Sequence, residues 1–254
     1  MCILFMAIGV NPDYPLILCA NRDEFHHRPT EPAHFWPPEQ NLLAGKDLLA
    51  GGTWLGLNRS GSIAALTNIR SPADHSDNRR SRGELIPKYL SGDDAFIPWL
   101  EKQAPSYNPF NLVFGSGQAF YCFNSLQHSL EKLSPGCHAI SNGAMDDVWP
   151  KMAKGQQALE ALVSAPGMPD EALLLEMMRD ESRPEDTRLP QTGVSLEWER
   201  RLSSIYIRHD EYGTRSTSLM LQDTQGHISF TEVRYDGKGR NLGTQRFKLQ
   251  TASQ

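Results

Sequence analysis

The chain has no apolar run near the roughly 20 residues that a membrane-spanning helix needs. Its apolar opening lacks a basic leader, and Asn11-Pro12-Asp13 closes it with no small-residue cleavage site. Cysteine is scarce: Cys2, Cys19, Cys122 and Cys137 form no C-x-x-C pair. That excludes the common zinc and haem-attachment spacings and argues against a disulfide scaffold. Positive charge is not in excess, with 25 Lys+Arg against 30 Asp+Glu and a net charge of −5. A general nucleic-acid or polyanion binder is therefore disfavoured. Gly51-Gly52 is followed by no G-K-[ST], and Gly115-Ser116-Gly117 lacks the third glycine and the helix of a dinucleotide site. His26, His27 and His34 have neither helical i, i+4 spacing nor a cysteine pair, so they read as packed or solvated side chains rather than metal ligands. These absences point to a soluble cytoplasmic protein with no nucleic-acid partner, no membrane span and no metal.

What is present is a long series of short elements. With 254 residues the chain can bury a large core, and the lack of any low-complexity linker favours one domain over residues 1–254. Residues 2–10 form a near-continuous apolar run, as expected of a strand covered on both faces. Turn chemistry at 11–15 returns the chain into a second apolar strand from Leu16, making a hairpin. Residues 25–40 read as a long irregular loop. Further hairpins are expected around Asn58-Arg59-Ser60-Gly61, around Gly115-Ser116-Gly117-Gln118 and around Ser134-Pro135-Gly136-Cys137. Helical stretches are expected near 84–90, 93–104, 150–164 and 170–179. Strands resume at 203–209, 215–221, 228–235 and 246–249. Antiparallel hairpins with helices segregated in the middle read as α+β.

The candidate chemistry starts at Cys2. Removal of Met1 would leave a residue with both a thiol and an α-amine, whose pKa is about 7.7–8.0. That amine can take the thiol proton, so the nucleophile supplies its own base. The competing reading is a small buried hydrophobe on a first strand. If Val10 pairs with Leu16, Cys2 falls opposite Glu24, give or take a residue or two, and Asn21-Arg22-Asp23-Glu24 lands beside it. Arg22 could hold a thiolate or a substrate carboxylate. Asn68 and Asn142 each put an amide at a strand end, where it could donate to an oxyanion. Arg79, Arg80 and Arg82 form the only dense basic cluster, a candidate anion site or a solvated loop. Gly51, Gly52 and Gly56 around Trp54 suggest close approach of another backbone or a ligand. Gly213 breaks the chain before Arg215 starts a strand.

Met1-Cys2, Asn21-Arg22-Asp23-Glu24, Gly51-Gly52-Thr53-Trp54-Leu55-Gly56, Ser141-Asn142-Gly143 and Tyr212-Gly213-Thr214-Arg215-Ser216 together resemble the NRDE family, also called the transport and Golgi organization 2 family. The resemblance runs from end to end. More distantly, the chain is similar to N-terminal nucleophile (Ntn) hydrolases of the choloylglycine and penicillin-acylase type. That likeness implies a four-layer αββα sandwich of antiparallel sheets. It also implies a catalytic set of Cys2, Arg22, Asp23, Asn68, Asn142 and Arg215. In those hydrolases two residues separate the Arg from the Asp, whereas Arg22 and Asp23 are adjacent. Adjacent strand residues leave on opposite faces, so both reach Cys2 only through a bulge, with Glu24 the substitute on the Arg22 face.

The family resemblance implies binding and mobilisation of haem or a similar anionic amphiphile such as an acyl thioester. The ligand-binding set would be Arg22, Glu24, Trp54, Arg79, Arg80, Arg82 and Arg215. Haem enters as a ligand, with no axial residue identified and no catalytic metal expected. The alternative is hydrolysis of an amide or acyl thioester through Cys2. The oligomeric state is left open.

Overall fold

A computed structural model describes residues 2–37 and 41–251. Met1 and Gln40 lie outside the described residues, so the expectations placed on them do too.

Two antiparallel sheets are stacked face to face. Strands β1 (Cys2–Ile8), β2 (Leu16–Phe25), β10 (Gly136–Ile140), β11 (Tyr212–Gln222), β12 (His227–Tyr235) and β13 (Asn241–Gln250) make one. Its order is β10-β1-β2-β11-β12-β13. Strands β3 (Thr30–Phe35), β4 (Leu42–Asp47), β5 (Leu55–Asn58), β6 (Ser62–Asn68), β7 (Phe110–Ser116), β8 (Ala119–Asn124) and β9 (Ser129–Lys132) make the other. Here the strands lie side by side in chain order. Helices α1 (Leu85–Leu90) and α2 (Phe96–Gln103) cover the second sheet, and α3 (Pro150–Val163) and α4 (Glu171–Met178) cover the first. A short α5 (Leu196–Arg201) precedes β11. The result is the αββα sandwich of the Ntn-hydrolase type.

β1 shows why its sequence is apolar throughout. Leu4, Met6 and Ile8 enter the core between the sheets, while Ile3, Phe5 and Ala7 face the helices. The strand alternates, but both faces meet hydrocarbon. Phe5 also explains a glycine inside α3: a Cβ on Gly155 would lie 2.1 Å from the Phe5 ring. Pro150 occupies the first turn of α3, where its missing N–H costs nothing. Asp170 caps α4 by accepting from the Ala172 N–H at 2.8 Å.

Three expectations are corrected. Residues 25–40 are not all loop: β2 runs on to Phe25, and Thr30–Phe35 pairs with β4 as an edge strand. Its bulge near Pro32 and its half-buried side chains hide the strand signal. β9 and β10 do not form a hairpin, because the chain crosses from one sheet to the other between them. Residues 203–209 form no strand, although 203–207 are buried. Their backbone is satisfied piecemeal, with the Tyr206 N–H donating to the Asp180 carbonyl and the Ile207 N–H to Thr214 Oγ1.

Candidate functional site

Register builds the site. Cys2 pairs directly with Arg22, not Glu24, because Ile8 rather than Val10 pairs with Leu16. The offset is within the slip the hairpin geometry allows. Arg22 pairs with Ser216 of β11, and Ser216 with Arg234 of β12. Directly opposed residues share a face. Cys2, Arg22, Ser216 and Arg234 therefore form one row across four strands, on the face turned to the second sheet.

Asp23 leaves β2 on the other face, where its Oδ1 accepts from Thr214 Oγ1 at 2.7 Å. Burial pushes its carboxyl up to about 6, against the amino-terminal charge and that hydrogen bond. Lys151 of α3 is buried on the same side and donates to the Leu202 carbonyl at 3.0 Å. Burial and then Arg70 hold its ammonium down to about 8. The bulge falls in β11, not β2: the register shifts between Thr214 and Ser216, leaving Arg215 as the extra residue.

Cys2 opens into a cleft of about 380 Å³. The end of β2 gives it Arg22, Asp23 and Glu24, and the second sheet side gives Trp54, Leu66 and Asn68. The loop before α1 gives Arg79, Arg80 and Arg82. Burial pushes the Cys2 thiol up, while the amino-terminal charge, the Asp23 backbone N–H and Arg22 pull it back without reversing the rise.

Arg22 is already engaged. Its Nη2 lies 3.2 Å from Asp47 Oδ2, its Nη1 donates to Thr30 Oγ1 at 3.2 Å, and its guanidinium lies 4.3 Å from the Trp54 ring centroid. Arg28 Nε shares the same Asp47 oxygen at 2.6 Å. The other Asp47 oxygen accepts from the Leu49 and Ala50 N–H groups. Burial alone would raise the Asp47 pKa, but Arg28, the Ala50 N–H and Arg22 leave it below the ordinary carboxylate value. Asp47 and Arg28 line the cleft, and no local pattern in the sequence singles them out.

The basic cluster is partly anchored. Arg79 donates to the Tyr107 carbonyl at 2.8 Å and Arg82 to the Pro109 carbonyl at 3.0 Å. Arg80 pairs with Glu84 at 2.6 Å. Burial lowers the Arg82 pKa, and Cys2 is the largest of the charges acting against that. The expected close approach is met at Gly52, where an added Cβ would lie 2.4 Å from the Gly83 carbonyl carbon. The Thr53 N–H donates to the Gly83 carbonyl at 3.0 Å, joining the two loops of the cleft wall. Across the sheet, Gly45 leaves room for the Trp54 indole.

Asn142 and Arg215 do not line the cleft. Asn142 is buried, and its Nδ2 donates to the Asn68 carbonyl at 2.8 Å, tying the end of β10 to the end of β6. Arg215 donates to the carbonyls of Phe25 at 2.8 Å and Arg28 at 3.1 Å. The structure thus brings Cys2, Arg22, Asp23, Glu24, Trp54, Asn68, Arg79, Arg80 and Arg82 to one cleft and sets Asn142 and Arg215 outside it. Among the described residues no group of three or more His, Cys, Asp or Glu is placed to hold a metal ion, and no helix is long and apolar enough to cross a membrane.

The family model described as Transport and Golgi organisation 2 matches residues 1–237. The Bos taurus transport and Golgi organization protein 2 homolog is 34% identical, over 99% of this chain and 100% of that protein. The Homo sapiens homolog is 32% identical, over 91% of this chain and 92% of its own length. Among solved structures, the C2A mutant of conjugated bile acid hydrolase from Clostridium perfringens superposes with a TM-score of 0.53. That match covers 97% of this chain and 92% of the other at 9% identity, a likeness of fold alone.

Proposed function

Because the chain belongs to the Transport and Golgi organisation 2 family, we propose that it binds and mobilises an anionic amphiphile, haem or an acyl thioester, in the cleft that reaches Cys2. One observation carries this reading: Arg22, Arg28, Arg79, Arg80 and Arg82 all line the cleft that Cys2 opens into. Guanidinium groups are suited to carboxylate and phosphate. The anionic end of the ligand rests against Arg79, Arg80 and Arg82, of which Arg79 and Arg82 are anchored on the Tyr107 and Pro109 carbonyls. The apolar body lies over Trp54 and Leu66. Cys2 carries a protonated thiol near neutrality, since burial holds its pKa up.

A second reading is favoured by Cys2 itself, at the cleft floor with Asn68 on the wall. In a fold of the Ntn-hydrolase type, that cysteine would attack an amide or thioester carbonyl. The α-amine exposed by removal of Met1 would take the thiol proton and pass it to the leaving group. Cys2 would become acylated until water releases the acid.

Purified protein mixed with haem separates the two readings, with Cys2→Ala alongside and acyl-CoA and N-acyl amide panels assayed in parallel. The binding reading expects a shifted Soret band or saturable acyl-CoA binding that survives Cys2→Ala, with no turnover. Turnover that disappears in Cys2→Ala, without ligand retention, would replace it with the hydrolase.

A further inference from the structure

The row that begins at Cys2 continues past the Arg22–Trp54 stack. On the far side is a separate pocket of about 40 Å³, lined by Arg22, Trp54, Arg215, Ser216, Glu232 and Arg234 among others. It shares only Arg22 and Trp54 with the Cys2 cleft. Two polar atoms here are buried without a partner among the described residues: Ser216 Oγ and Arg234 Nε. Ser216 is 3% exposed. Buried donors left unpaired are rare in folded proteins and call for an occupant.

We propose that this back pocket is a binding site for one carboxylate group, held by Arg234 and Ser216 with Arg22 as the wall it shares with the cleft. Its charge suits an anion. Three guanidiniums, Arg22, Arg215 and Arg234, meet the carboxylates Glu31 and Glu232. Arg215 donates to the backbone carbonyls of Phe25 and Arg28, and Glu24 is the carboxylate acting on it. Glu232 accepts from the Ala33 N–H at 2.8 Å, and burial raises its pKa against that bond and the charges of Arg234 and Arg22. The size suits a carboxylate as well. At about 10–15 Å³ per water-sized group the pocket takes about three heavy atoms, the number in a carboxylate. A chain longer than a carbon or two does not fit.

The site is independent of what the Cys2 cleft binds, and its test does not use that ligand. Carbon-13-labelled acetate is titrated into the full chain and followed by its NMR line width and by thermal unfolding. Saturable broadening is expected in about the millimolar range, with at least about tenfold loss in Arg234→Gln and about threefold in Ser216→Ala. Ser216→Ala removes a single oxygen and keeps the test alive should Arg234→Gln fail to fold. Butyrate binds more weakly than acetate. Non-saturable broadening would mean that the pocket holds only water, and the proposal falls. It falls equally if Arg234→Gln and Ser216→Ala bind acetate normally, which would place the acetate at the cleft arginines instead.

Discussion

Cys2 and Arg22 are direct cross-strand partners on one face of a sheet, yet the Arg22 guanidinium is bound to Asp47 and stacked on Trp54. The arginine expected to serve the thiol instead pins the two sheets together at the cleft floor. Asp47, which also takes Arg28, is the residue on which that arrangement turns.

Asp47→Asn is therefore expected to destabilise the fold by about 2 kcal/mol, below the roughly 3–5 kcal/mol lost when a fully buried pair is broken. The pH dependence has a definite sign. The folded pKa of Asp47 is depressed below 3.8, so its contribution is complete above that value and fades as pH falls through the folded pKa. Urea unfolding from pH 7 down to pH 2.5 checks this. The gap between wild type and Asp47→Asn should close at the acid end.

The Cys2 thiol is expected to alkylate slowly at neutral pH. Burial holds its pKa above 9.0, and only the thiolate reacts. Iodoacetamide labelling followed by peptide mass should show a rate at Cys2 below that of free cysteine at pH 7, still climbing past pH 9. A plateau below pH 8 would mean that the thiolate is stabilised and would strengthen the hydrolase reading.

Gly52→Ala places a Cβ against the Gly83 carbonyl, a backbone atom with little freedom to move. The two loops must part, and the Thr53 to Gly83 hydrogen bond goes with them. A loss of about 2 kcal/mol is expected, read as a lower unfolding midpoint, together with weaker ligand retention in the cleft.

Asn142→Ala separates a structural role from a chemical one. Loss of the buried bond to the Asn68 carbonyl should cost about 1–2 kcal/mol of stability. Ligand affinity should stay within about twofold, less than 0.5 kcal/mol. An oxyanion donor would behave differently, with turnover falling about a hundredfold.

Much of the fold was legible in the sequence because its first hairpin is a pure case: an apolar run, a turn, an apolar run. Its register was open only to the extent that the turn length was, and the turn takes residues 9–15. Elsewhere the local signal misleads. Ser134-Pro135-Gly136 is turn chemistry whether the chain doubles back or passes to another layer, so β9 to β10 reads as a hairpin. Residues 203–209 have a strand's side chains, but Thr214 and Asp180 take their N–H groups. The cleft was legible at Cys2, Arg22 and the 79–82 cluster, where residue types are unusual for their positions. Asp47 and Arg28 were not, since only the stacking of the sheets makes them neighbours of Arg22. The alternation of Arg22 and Asp23 held, and the bulge appeared on the adjacent strand.

The threading of the sheets has a consequence for biosynthesis. The seven-stranded sheet uses consecutive strands, so each can dock as it leaves the ribosome. The strand bearing Cys2 must wait: Leu4 pairs with Ile140, and Ala20 with Ser218. Until those partners are translated, both edges of an apolar hairpin stay open. Long-range closure of this kind is slow and exposes the nascent chain to aggregation. The N-terminal hairpin is thus where a holdase chaperone would be needed most.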